Sequence, residues 1–209
     1  MNLKILINTC FLFTILTSWG QETRCQQFKK LSCAEKRWVL IHPFVAKKAY
    51  HITVEVRQIV EELKKDTILK GRGNGLQIDA FRHTYWMALL TKEIGWRRAK
   101  RLGEAHEKGN YQMFKKRKLE DGELPDQKGS EMDLYNNTVG IDLGKNIDVE
   151  NLKYAVIKAI QSGKCKILKM DERQNYLNCD GEIIPKDSLK GKWLNDKCLV
   201  SSDEVPVTF

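Results

Sequence analysis

The chain has 209 residues, enough for one domain with appendages and a sizeable core. Its 42% hydrophobic and 30% charged residues exclude a disordered or low-complexity chain. The formal charge of +9 favours anionic partners, yet no nucleic-acid-binding signature accompanies the two basic runs, Arg97-Arg98-Lys100-Arg101 and Lys115-Lys116-Arg117-Lys118. Such runs are most often a solvated helix face and a loop.

Lys4 and the apolar run Ile5 to Leu16 read as a secretory signal peptide, cleaved after Gly20. The run is too short for a membrane span, and no later stretch approaches that length. The expected location is therefore secreted or periplasmic, with Gln21 as the new N-terminus. Cys25, Cys33, Cys165, Cys179 and Cys198 remain after cleavage. Their spacing is not that of a zinc ribbon or finger. Cys179 and Cys198 are plausible disulfide partners, although sequence leaves the pairing open.

Cys33 to Ile41 has helical periodicity, and Pro43 interrupts it. Phe44 to Lys65 reads as a long helix with Val45, Ala49, Ile52, Val56, Ile59 and Leu63 on one stripe. A glycine-rich loop, Asp66 to Leu76, follows. It lacks the Gly-Lys-Ser/Thr ending and the preceding strand of a phosphate-binding loop. Helices are predicted over 78–94, ended by Gly95, and over 96–107. A polar, basic loop over 108–129 leads to a helix over 130–145. Asp148 caps one more, which Gly163 stops. Beyond Lys164 short apolar runs flank "CDG", a hairpin signal. The fold class is mainly α: a compact domain of about five helices over 21–163, with a small β-rich tail over 164–209.

Chemistry concentrates in "DAFRHTYW", residues 79–86. At about 100° per residue, His83 lies about 40° from Asp79, and Arg82, Trp86 and Leu90 share that side. A carboxylate and an imidazole at i and i+4 can act as a metal pair or an acid–base pair. His106 falls on the stripe of Ala99 and Leu102. Asp133, Asn137, Gly140 and Gly144 share a stripe on the next helix, with Asn136 one residue round. Glycines there lower helix propensity, and a close approach would justify them. Three helices thus offer polar groups on their inner faces. Asp79, His83, His106 and Asp133 suit a divalent metal such as zinc or manganese, or an acid–base set. Arg82, Asn136 and Asn137 would contact substrate. A buried hydrogen-bond network would use the same residues.

These segments, "NGLQIDAFRHTYWMALL", "GEAHE" and "EMDLYNNTVGIDLG", resemble a bacterial family, the domain of unknown function 6973. The resemblance covers about residues 40–160 and falls on Asp79, Arg82, His83, His106, Glu107, Asp133, Asn136, Asn137 and Gly140. Tyr135 departs from it, standing where His is frequent. It implies a helical domain in secreted or wall-associated proteins and transfers no activity. Three functions then compete. One is an exported hydrolase of a phosphoester or lipid. Another is a non-catalytic envelope module whose Asp/Arg/His/Asn cluster is structural. The last is an effector or toxin-like module that meets nucleic acid or a membrane through its basic loop, Lys115 to Lys118.

Overall fold

The computed structural model describes residues 24–71, 73–119 and 122–205. The expected signal peptide lies outside them. The chain divides after Lys30: the first unit contributes α1 (Arg24–Lys30), and the second runs from Leu31. In the second unit α2 (Cys33–Ile41) opens on a capping box. Ser32 Oγ accepts from Glu35 N at 3.2 Å, and Glu35 Oε2 accepts from Ser32 N at 2.8 Å. His42 ends α2, and Pro43 begins α3 (Pro43–Leu63).

At the centre stands α4 (Gln77–Ile94), with fourteen of its eighteen residues buried. Periodicity predicts one inward face for it. Instead α3, α5, α6 and α7 cover it on most sides, and Phe81, Met87 and Leu90 are fully enclosed. Gly95, at φ +84°, makes the corner into α5 (Trp96–Lys115), where a side chain would be strained. That helix runs two turns past its predicted end at 107. Gly109 packs on Ser32, and Asn110 Nδ2 donates to Glu107 Oε2 at 3.1 Å. Burial of this polar face overrides its poor helix propensity. Asp126 caps α6 (Gln127–Asn146), accepting from Gly129 N at 2.8 Å, one turn earlier than predicted. After α7 (Val149–Gln161), β1 (Lys166–Leu168) pairs antiparallel with β2 (Leu199–Ser201), Ile167 opposite Val200. Between the strands lies the short helix α8 (Lys186–Leu189), and a disulfide joins Cys179 to Cys198. Buried Cys165 and Ile167 belong to the same core as α4.

The distance between α4 and α6 is set by glycine. A Cβ at Gly140 would stand 2.2 Å from the Thr84 carbonyl oxygen, and one at Gly144 2.5 Å from that of Ala88. Each glycine sits four residues from the next, matching Thr84 and Ala88 across the contact. This is the close approach that the stripe predicts. Gly140→Ala should therefore destabilise. Alanine gains about 1 kcal/mol of helix propensity. Forcing the helices apart removes about 1–3 kcal/mol or more, because the obstacle is backbone. A urea melt of Gly140→Ala should show a net loss. Unchanged or raised stability would mean that the helices are not in contact here.

Candidate functional site

Asp79 sits in the first turn of α4, and its Oδ2 accepts from Gly75 N at 2.7 Å. This bond ties the glycine-rich loop to the helix start. Four residues on, His83 lies on the same side, 3% exposed. The glycine contact brings α6 so close that Asp133 comes opposite. His83 Nε2 is 3.3 Å from Asp133 Oδ1 and 3.7 Å from Asp79 Oδ1, and one ligand atom from each residue falls within 4.8 Å of the others. Arg82 reaches the same point: its Nη2 is 2.7 Å from Asp79 Oδ1 and 3.2 Å from His83 Nε2.

Guanidinium only donates, so the Arg82 contact favours the tautomer in which Nε2 of His83 accepts and Nδ1 carries the proton, whereas the Asp133 carboxylate beside Nε2 favours the other. Burial holds the His83 imidazolium well below its usual range, with the charges of Arg82 and His106 adding to it. Asn137 acts in the opposite direction. Its amide lies beside the ring, although neither it nor His83 Nδ1 makes a bond of ordinary hydrogen-bond geometry. His83 is thus a neutral imidazole whose Nε2 faces two carboxylates. Such a convergence is repulsive unless a cation stands at its focus, and the Arg82 guanidinium supplies part of that charge.

The other predicted residues have different surroundings. His106 stays outside the cluster: its Nδ1 is 3.1 Å from Glu35 Oε1 on α2, and its ring centre is 6.1 Å from that of His83. Burial alone raises the Glu35 carboxyl, and the His106 bond and charge, with Ser32, bring it below its usual range. His106 therefore fits a bridge from α2 to α5 better than a fourth ligand. Asn136 is fully buried, with both ends of its amide committed to β1: Nδ2 donates to Lys166 O at 2.9 Å, and Oδ1 accepts from Lys166 N at 2.8 Å. Those bonds oppose the expected substrate contact for Asn136. Tyr135 lies about 200° round α6 from Asp133. It is half exposed beneath Lys166, so its departure from the family pattern takes no group from the cluster.

A half-open pocket of about 60 Å³ adjoins the cluster, and Asp79, Arg82 and Asp133 form part of its wall. That is room for an ion with a few waters, or for one small polar group. Asn110 and Ser130 also line it, and Asn110 Oδ1 and Ser130 Oγ are buried with no hydrogen-bond partner among the described residues. The tail closes the far side. Tyr176 OH donates to Glu123 Oε2 at 3.1 Å, since burial and that carboxylate hold the phenol far above its usual range. Lys197 stacks 3.5 Å from the Tyr176 ring centre and bonds Asp126 Oδ2 at 2.6 Å. The sequence pattern singled out none of Asn110, Glu123, Asp126, Ser130, Tyr176 and Lys197. Asn110 lies four residues after His106, so a longer α5 would have revealed it. Tyr176 and Lys197 sit in a tail without periodicity and left no comparable signal.

Among the pocket's charged residues, Asp79, Glu123, Asp126 and Asp133 outnumber Arg82 and Lys197. The excess of carboxylates favours a cation over a bare anion. The donors fit one too. Ligands at about 2.1 Å from one metal, at octahedral to tetrahedral angles, stand about 3.0–3.4 Å apart. The separations of 3.3 and 3.7 Å from His83 are close to that spacing, whereas the set as a whole spans up to 4.8 Å, so Asp79 and Asp133 would have to draw together on a bound ion. Two carboxylates and one imidazole suit Mn²⁺ or Zn²⁺.

No curated protein and no solved structure matches the chain. A family model does match, over residues 36–165, the span that carries all three motifs and every helix that positions the cluster from α3 to α6. The chain belongs to this family, the Domain of unknown function (DUF6973).

Proposed function

We propose that the chain is an exported, metal-dependent hydrolase of phosphoesters, with Asp79, His83 and Asp133 as the ligands of a divalent cation. One observation carries this reading: three buried acceptors from two helices converge with ligand spacing beside a carboxylate-rich pocket. The bound cation would supply an activated water and polarise a phosphoryl oxygen. Asn137 would orient His83 through its Nδ1–H, as outer partners of ligating histidines do. Arg82 would hold the anionic group of the substrate and the Ser130 hydroxyl would donate to one of its remaining oxygens, while Asn110 Oδ1, an acceptor, would take a hydrogen bond from a water in the pocket. The disulfide between Cys179 and Cys198 supports export to an oxidising compartment, as does the N-terminal apolar run.

A second reading is favoured by one contact. The Arg82 guanidinium already reaches Asp79 and His83, as a structural network would require. Calorimetric titration of the full chain with Mn²⁺ and Zn²⁺ separates the two. The hydrolase reading expects one ion per chain and metal-dependent turnover of a generic phosphodiester. A chain that takes up neither ion is a structural network.

A further inference from the structure

We propose that the corner between α2 and α3 is an interfacial anchor that docks the protein on an anionic lipid surface. This inference is independent of the pocket. Single exposed apolar residues are ordinary, but here three crowd into five positions. Leu40 is 71% exposed, Ile41 60% and Phe44 97%. His42 and Pro43 between them make the corner, so the last turn of α2 and the first turn of α3 present these side chains at one tip.

The charges around the tip identify what it meets. From Lys36 to Val54 the chain carries Lys36, Arg37, Lys47 and Lys48 and no acid. Their spacing is helical. Arg37 precedes Leu40 by three residues and Ile41 by four, and Lys47 and Lys48 follow Phe44 by three and four. Each cation thus shares a face with an apolar tip residue, about 4.5–6 Å further back along its helix. An interfacial segment sinks its apolar side about 5–10 Å into the headgroup boundary. At that depth the cations would lie level with the lipid phosphates, where each Lys or Arg adds attraction to an anionic leaflet. Lys48 also pairs with Glu93, leaving Arg37 and Lys47 as exposed cations of the girdle. A second copy is a poor occupant, because two such tips would set the exposed Arg37 and Lys47 of one copy against those of the other.

Vesicle sedimentation tests this, comparing the full chain with L40S/I41S/F44S. The three positions are exposed, so an unchanged thermal melt should show that the variant folds. Vesicles of mixed phosphatidylglycerol and phosphatidylcholine should carry down the wild type. Binding should weaken steeply with salt and fall about tenfold or more in the variant and on pure phosphatidylcholine. Residues 1–23 are common to both chains, and a local probe removes their contribution. In F44W the added emission should shift blue and be quenched by lipids brominated along the acyl chain. Full emission from position 44 on bound vesicles would overturn the proposal. So would a concentration-dependent dimer, seen by sedimentation velocity without vesicles and lost in the triple variant.

Discussion

Asp133→Asn should lower Mn²⁺ affinity by about a hundredfold or more while leaving the metal-free fold as stable as before, or more so. The two halves have different causes. Losing an outer partner of a metal ligand commonly weakens binding about 10–100-fold, so losing a ligand charge should do more. Without metal the balance reverses. Asp79 and Asp133 present oxygens within 4.8 Å of each other, and His83 between them is neutral. Two unit charges that close repel by about 3 kcal/mol at an effective dielectric of about 20. Arg82 offsets part of this. An amide of the same shape relieves the rest. The measurement is a thermal melt with and without Mn²⁺ at about a hundred times its Kd. For the wild type the metal should add about 2.7 kcal/mol, roughly 5–11 °C for a domain of this size. Asp133→Asn should lose that rise and begin from an equal or higher melting temperature. His83→Ala should lose the rise too, but begin lower, because it opens a hole beside stranded buried groups worth about 2–4 kcal/mol. A purely structural cluster gives no metal-induced rise for any of the chains. If Asp133→Asn also melts far below the wild type, its carboxylate is structural.

The cluster was legible because both helices that build it keep a strict period. Asp79 and His83 fall one turn apart on α4, and Asp133, Asn137, Gly140 and Gly144 follow a single stripe of α6. The glycines were the better signal. They are poor helix formers at the inner face of α6, and the Thr84 and Ala88 carbonyls explain them. His106 shows where periodicity stops. It faces inward as read, but its partner Glu35 lies 71 residues away on α2, and a single helix cannot reveal a partner at that distance. Asn136 fails for a similar reason: β1 takes both ends of its amide, and β1 lies beyond the motifs. The true end of α5 was hidden because Gly109 and Asn110 look like loop residues until Ser32 and Glu107 are placed beside them. Pairwise tertiary contacts decided these positions, whereas local pattern decided α4 and α6.

Arg82→Gln should move metal binding and turnover in opposite directions. The guanidinium forms an ion pair with Asp79 Oδ1 at 2.7 Å, without hydrogen-bond geometry, so an incoming cation must displace it from that oxygen. A partly exposed ion pair contributes about 1 kcal/mol. At about 1.4 kcal/mol per decade, removing the competitor should tighten Mn²⁺ binding about fivefold. The free protein responds in the other sense. Asp79 and Asp133 lose their nearby cation, and stranding a buried charge destabilises by about 3–5 kcal/mol. The variant should therefore melt low without metal and recover when Mn²⁺ is added, since the ion takes over the charge that Arg82 supplied. Its phosphodiester turnover should fall even at saturating Mn²⁺, because the side chain assigned to the anionic group is gone. Arg82→Lys is the control: a point charge keeps part of the neutralisation but loses the fork that spans Asp79 and His83. A metal-insensitive melt of Arg82→Gln would make the guanidinium the cation for which this cluster is built.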